Sequence, residues 1–127
     1  MAKPELVIGI DLGTTNSEVA AYLDGQVCVL GPDGGILPSC VGLTPAGELL
    51  VGHEARRQQL LYPERTVRSI KRKMGTGETV TLGDRAFSPQ EISAFILREL
   101  AARARRELGR AVEKAIITVP AYFSDAQ

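Results

Sequence analysis

The chain has 127 residues, one ordinary domain with a single core, and its fifteen Lys and Arg offset fifteen Asp and Glu to a formal net charge of zero. That balance leaves no basic footprint for nucleic acid and no acidic tail, while 44% apolar and 24% charged residues exclude a disordered or fibrous chain. No apolar run approaches the roughly 18 residues of a membrane span, and Met1 to Pro4 have no long apolar segment behind them, so a cytoplasmic location without nucleic-acid or membrane partners is expected.

From Glu5 a short apolar run rich in β-branched residues reaches Ile10 and ends at Asp11, and Gly13, Thr14 and Thr15 supply a turn before a second strand at Val19 to Leu23. Asp24-Gly25 is a hairpin signal leading to a third strand, Gln26 to Leu30, so the opening reads as an antiparallel meander. Gly31 to Pro38 reads as a loop and Cys40 to Leu43 as a short strand. Cys28 and Cys40, without CxxC spacing, read as buried thiols rather than a disulfide or a zinc site. Glu54 to Leu61 and the basic stretch Val67 to Met74 have a modest helical pattern, and a hairpin is expected about Gly83-Asp84.

A long helix is the clearest element. Ser88 is its expected N-cap, Pro89 its first residue, Glu91 the carboxylate of a capping box and Gly109 its stop. Ile92, Phe95, Ile96, Leu100, Ala104 and Leu108 make its apolar face, with Arg98, Arg103, Arg105 and Arg106 assigned mostly to a solvated one. Ala115 to Val119 reads as a final strand closed by Pro120, and the stop at Gln127 reads as a cut in a larger α/β layer fold.

The segment with the most chemistry is Ile8 to Ser17, IGIDLGTTNS. A strand that delivers a carboxylate into a Gly-Thr-Thr turn can hold a metal phosphate. Glycine removes the Cβ that would block close approach, successive backbone N–H groups converge on phosphate oxygens, and Asp11 can hold Mg²⁺ through its waters. A plain hairpin turn uses the same residue types, and composition does not decide between the two. No GxxxxGK[ST] pattern occurs, and a strand rather than a helix follows the turn, so this is not a P-loop. Lys71, taken alone in the basic string Lys71 to Lys73, reads as a solvated lysine.

IGIDLGTTNS closely resembles the first phosphate motif of the 70 kDa heat-shock chaperones, members of the actin and sugar-kinase superfamily of ATPases. Val51 to Ala55 (VGHEA), Arg56, Arg57 and Gln58, then Pro63, Thr66, Ile70 and Lys71 to Gly75 (KRKMG) follow the same family pattern, and Ile117 to Gln127 (ITVPAYFSDAQ) is similar to its segment ITVPAYFNDAQ. The likeness runs from Val7 to Gln127. It departs at Ile36 and Leu37, where the family usually has an Arg and hydroxyl residues ahead of Pro-Ser, and Thr76 to Phe87 is compact, as in shorter bacterial forms.

The resemblance implies an α/β, actin-like (ribonuclease H-like) fold: a truncated lobe I with a mixed sheet, flanking helices and a small inserted α/β subdomain. One subdomain would comprise residues about 1–38 and 89–127 and the insert about 39–88. It implies ATP or ADP with Mg²⁺ as cofactors. Gly13, Thr14, Thr15 and Asn16 would line the β and γ phosphates, Asp11 the magnesium shell, and Lys71 would be the catalytic lysine. Pro120 and Tyr122 would relay nucleotide state toward a peptide-binding domain. The whole protein would couple ATP hydrolysis to binding and release of unfolded, hydrophobic peptide, with a J-domain cochaperone and a nucleotide exchange factor as partners, and the fragment alone would be inactive. A sugar kinase or filament-forming ATPase of the same superfamily, a noncatalytic interaction module and a ribonuclease H-like nuclease are the rival readings.

Overall fold

The computed structural model describes residues 6–112 and 114–118. The meander forms as its turn chemistry dictates: Val7–Leu12 (β1), Asn16–Leu23 (β2) and Gln26–Leu30 (β3) pair antiparallel in sequence. Asp24 and Gly25 both take positive φ, 50° and 81°, the backbone a tight two-residue hairpin demands. The stretch expected to be all loop differs. Leu37–Pro38 (β4) pairs with Asn16 and Ser17 at the start of β2, because Pro38 sits at the edge of the sheet, where its missing N–H costs no ladder bond.

Between the meander and the long helix lie two smaller sheets. Cys40–Leu43 (β5) is flanked antiparallel by Leu49–Val51 (β6) and Thr66–Arg68 (β7), with a short helix, His53–Gln58 (α1), between those two strands. Val80–Leu82 (β8) and Arg85–Phe87 (β9) form the expected hairpin. Val67 to Met74 is not a helix: its first residues extend β7, Ser69 turns the chain at φ 56°, and Ile70–Lys73 make one 3-10 turn. Pairing with β5, more than twenty residues upstream, overrides the local pattern.

The long helix, Pro89–Leu108 (α2), has both ends as expected. Glu91 N–H donates to Ser88 Oγ at 3.1 Å, Ser88 N–H donates to Glu91 Oε1 at 2.9 Å, and Gly109 closes the helix in the left-handed region with its N–H on Arg105 O. Ile92, Ile96, Leu100 and Ala104 are completely buried, against Ile8, Ile10, Leu12 and Val19 of the sheet among others. Each large side chain so placed contributes about 1.5–3 kcal/mol relative to exposure. Phe95 and Phe87 meet edge to face with ring centroids 5.8 Å apart, and Ser93 Oγ donates to Met74 Sδ at 3.6 Å, so one helix serves as floor for the meander and the inserted segments alike.

Arg103 departs from the solvated face assigned to it. It is buried, its Nη1 donates to Gly35 O at 3.0 Å, and its guanidinium occupies the space beside Gly31 that a Cβ there would need. Lys114–Thr118 (β10) adds to β1 in parallel, giving the order β10-β1-β2-β3. Alternation then places Gly9, Asp11, Tyr22, Val27, Val29 and Ile116 on the sheet face opposite α2, and that face is exposed. No described helix is long and apolar enough to cross a membrane.

Candidate functional site

The turn between β1 and β2 is built by three contacts from Ser39. Its Oγ donates to Gly13 O at 2.8 Å and lies 2.8 Å from Ser17 Oγ, and its N–H donates to Thr15 O at 2.8 Å. Ser17 falls on the core side of β2, fully buried, so its hydroxyl depends on Ser39 for a partner. Gly13 is required for closure of the turn itself, since a Cβ there would collide with Asn16 O. Gly13 and Thr14 are half-buried, while Thr15 and Asn16 are exposed.

The same serine ties the turn to Lys71. Ser39 O accepts from Ser69 N–H at 3.4 Å, and the 3-10 turn carrying Lys71 begins at the next residue. Residues 15, 39, 69 and 72 consequently line one cavity, although they come from three separate stretches of sequence. Lys71 itself is half-buried. Asp11 sits on the exposed face of the sheet, paired with Glu18 on β2 and Thr118 on β10. Glu18 was not singled out from the sequence. Its place opposite Asp11 follows from counting pairs outward from the turn, beginning with Leu12 and Ser17. The two carboxylates share a shallow cleft of about 220 Å³ with Gly9, Ala20, Ile116 and Thr118.

Of the other singled-out residues, His53 is half-buried, its Nδ1 3.3 Å from Arg56 Nη2. Both cysteines are free; Cys40 is buried and Cys28 half-buried. Burial pushes the Cys40 thiol pKa up, against a lowering pull from Arg68 and Arg56. Pro120 and Tyr122 lie outside the described residues. No group of three or more His, Cys, Asp or Glu able to hold a metal ion occurs among the described residues.

Residues 7–81 and 76–127 match the family model of the Hsp70 protein. The chain is 55% identical over 128 residues to the chaperone protein DnaK of Thermotoga neapolitana, covering 98% of this chain and 22% of that one. It is 50% identical over 129 residues to the chaperone protein DnaK of Thermosipho melanesiensis and 46% identical over 133 to that of Methanothermobacter thermautotrophicus, again covering 22% of each. The chain spans about a fifth of the length of the curated relatives it matches. By the IGIDLGTTNS segment, its mixed α/β architecture and these matches over nearly all of its length, the chain belongs to the Hsp70 family.

Proposed function

We propose that these residues form the phosphate-gripping lobe of an ATP-hydrolysing chaperone. In this reading residues about 1–38 and 89–127 are the outer subdomain of lobe I in an actin-like ATPase and residues about 39–88 its insert. The observation that carries it is the bracing of the 13–16 turn by Ser39 and the run from Ser39 to Ser69, which brings a lysine-bearing turn beside a glycine turn. Backbone N–H groups and the hydroxyls of Thr14 and Thr15 are suited to the β and γ phosphates of ATP, with Asn16 beside them. Lys71 supplies a compact positive charge for the γ phosphoryl oxygens and holds the attacking water in place, since phosphoryl transfer is chiefly positioning and electrostatics.

The donor set also suits Mg²⁺. Asp11 offers a hard carboxylate on an exposed face, with Glu18 opposite it as a second. Bound there through its waters, the ion would neutralise charge on the phosphates. Pro120 and Tyr122 pass the nucleotide state onward. Unfolded or hydrophobic peptide, a J-domain cochaperone and a nucleotide exchange factor are the partners of the whole protein, in keeping with the chaperone names of its relatives. These 127 residues supply one wall of the nucleotide site, so alone they bind ATP weakly and turn it over negligibly.

The test is Lys71→Ala in a protein of the relatives' full length. Nucleotide binding is retained and single-turnover hydrolysis falls on the order of 10²–10³-fold, the usual loss on removing one transition-state charge partner. Unchanged hydrolysis removes Lys71 from its role, and loss of magnesium-dependent nucleotide binding on Asp11→Asn, with none on a distant surface change, supports the metal assignment.

A further inference from the structure

Beside the phosphate turn, on the side of the inserted segments, is a cavity of about 260 Å³ whose walls include Thr15, Ser39, Cys40, Arg56, Arg68 and Arg72. Three elements supply the cations: α1 gives Arg56, the end of β7 gives Arg68 and the 3-10 turn gives Arg72. Among the described residues no Asp or Glu lines it. Elsewhere in this neutral chain Arg106 pairs with Glu99, Arg103 bonds to Gly35 O and Arg65 to the carbonyls of Leu43 and Thr44, while Arg57 and Arg105, among the described residues, stand alone on the surface of their helices. Among the described residues no side-chain hydrogen bond or ion pair is made by Arg68 or Arg72, and Arg56 has only the His53 ring.

Three arginines lining one cavity with no acidic residue among its described walls repel one another, and a bound anion reverses the sign of the interaction. The thiol at the wall is not that anion: burial holds Cys40 protonated at neutral pH despite the nearby Arg68 and Arg56. The volume lies below the range of pockets for drug-sized ligands, which selects a small ion. Guanidinium groups arriving from separate directions present forked donors to several oxygens at once, the arrangement a tetrahedral oxyanion accepts.

We propose that this cavity is a binding subsite for a free tetrahedral oxyanion of the inorganic-phosphate class, distinct from the turn that grips nucleotide phosphates. It requires neither nucleotide nor magnesium. If the nucleotide reading holds, Thr15, shared by turn and cavity, makes it the neighbouring cationic station for phosphate released by hydrolysis.

The experiment titrates inorganic phosphate into the full 127-residue chain without nucleotide or metal, following ³¹P line broadening and the amide resonances of residues 15, 39, 69 and 72. Millimolar binding that weakens with added salt is expected, and Arg68→Gln/Arg72→Gln weakens it by at least about tenfold. The charge-matched Arg105→Gln/Arg106→Gln on the exposed end of α2 leaves it unchanged. All the arginines changed are solvent-exposed, so the variants keep the fold, which circular dichroism confirms. Absence of binding at about 10 mM phosphate, or equal binding by Arg68→Gln/Arg72→Gln, overturns the proposal. Binding that survives that double change and is lost in Lys71→Ala places the anion at the phosphate turn, which overturns the subsite while leaving the nucleotide reading standing.

Discussion

Replacing Ser39 by Ala removes one hydroxyl that serves two groups, a carbonyl and another hydroxyl. Ser39 Oγ donates to Gly13 O and shares a hydrogen bond with Ser17 Oγ, whose residue has no exposed surface. A typical intramolecular hydrogen bond contributes about 0.5–1.5 kcal/mol net, and a buried polar group left without a partner costs about 1–3 kcal/mol. The two lost bonds and the orphaned Ser17 hydroxyl together predict a loss of about 2–3 kcal/mol. With a urea slope of roughly 1–3 kcal/mol/M for a small domain, the unfolding midpoint falls by about 0.7–3 M. A double-mutant cycle isolates the pair. Ser17→Ala alone costs about 1 kcal/mol, because Ser39 keeps its bond to Gly13 O. Ser17→Ala/Ser39→Ala is no less stable than Ser39→Ala, because the second change removes the orphan, and the coupling energy is about 1 kcal/mol. Urea unfolding followed by circular dichroism measures all four corners. A Ser39→Ala stability within about 0.5 kcal/mol of the parent, or additive single changes, would refute the view that one serine braces the 13–16 turn.

Arg103→Leu removes a charge-assisted bond and leaves Gly35 O without its donor in a buried place, so it costs about 2 kcal/mol, while Arg106→Leu, which loses only an exposed pair with Glu99, stays within about 0.5 kcal/mol. Equal losses in urea unfolding would show that Arg103 is an ordinary surface residue. Cys40 makes stability fall in alkali. Its folded pKa is raised by burial above the unfolded value of about 8.5, so its contribution is intact below that pH and is lost as pH rises toward the folded value, at up to about 1.4 kcal/mol per pH unit. Urea midpoints at pH 7 and 9.5 should diverge more for the parent than for Cys40→Ala; parallel shifts in the two proteins would contradict it.

What could be read from sequence was what is local. The caps of α2 are legible because Ser88, Glu91 and Gly109 act within a few residues of the ends they close, and Asp24-Gly25 specifies its hairpin by backbone geometry alone. The Val67 to Met74 stretch misleads for the converse reason: its extended part exists to pair with β5, and Ser69 breaks the helical path by a left-handed φ. Arg103 misleads by chemistry. It lies seven residues from Ile96 and three from Leu100, on the buried stripe by helical period, yet its charge assigns it to water; only the open carbonyl of Gly35, 68 positions away, makes burial tolerable.

The site divides along the same line. Asp11 and the Gly13 to Asn16 turn are contiguous, so their pattern survives in one short string, whereas the residues that make the turn rigid are dispersed. Ser39 reaches it through the pairing of β4 with β2, and Ser69 reaches Ser39 through the pairing of β7 with β5. Two independent sheets thus end at one serine, and the 3-10 turn with Lys71 follows directly from the second of them. If Lys71 acts on a phosphoryl group as proposed, it must be held to a fraction of an ångström to be effective, and a glycine turn alone is too pliable to serve as the reference point. Anchoring both to the same residue makes their relative position a property of the fold. For that reason Ser39→Ala, in a protein of the relatives' full length, is expected to lower kcat for ATP more than it raises KM, whereas a substitution that merely loosened nucleotide contacts would do the reverse.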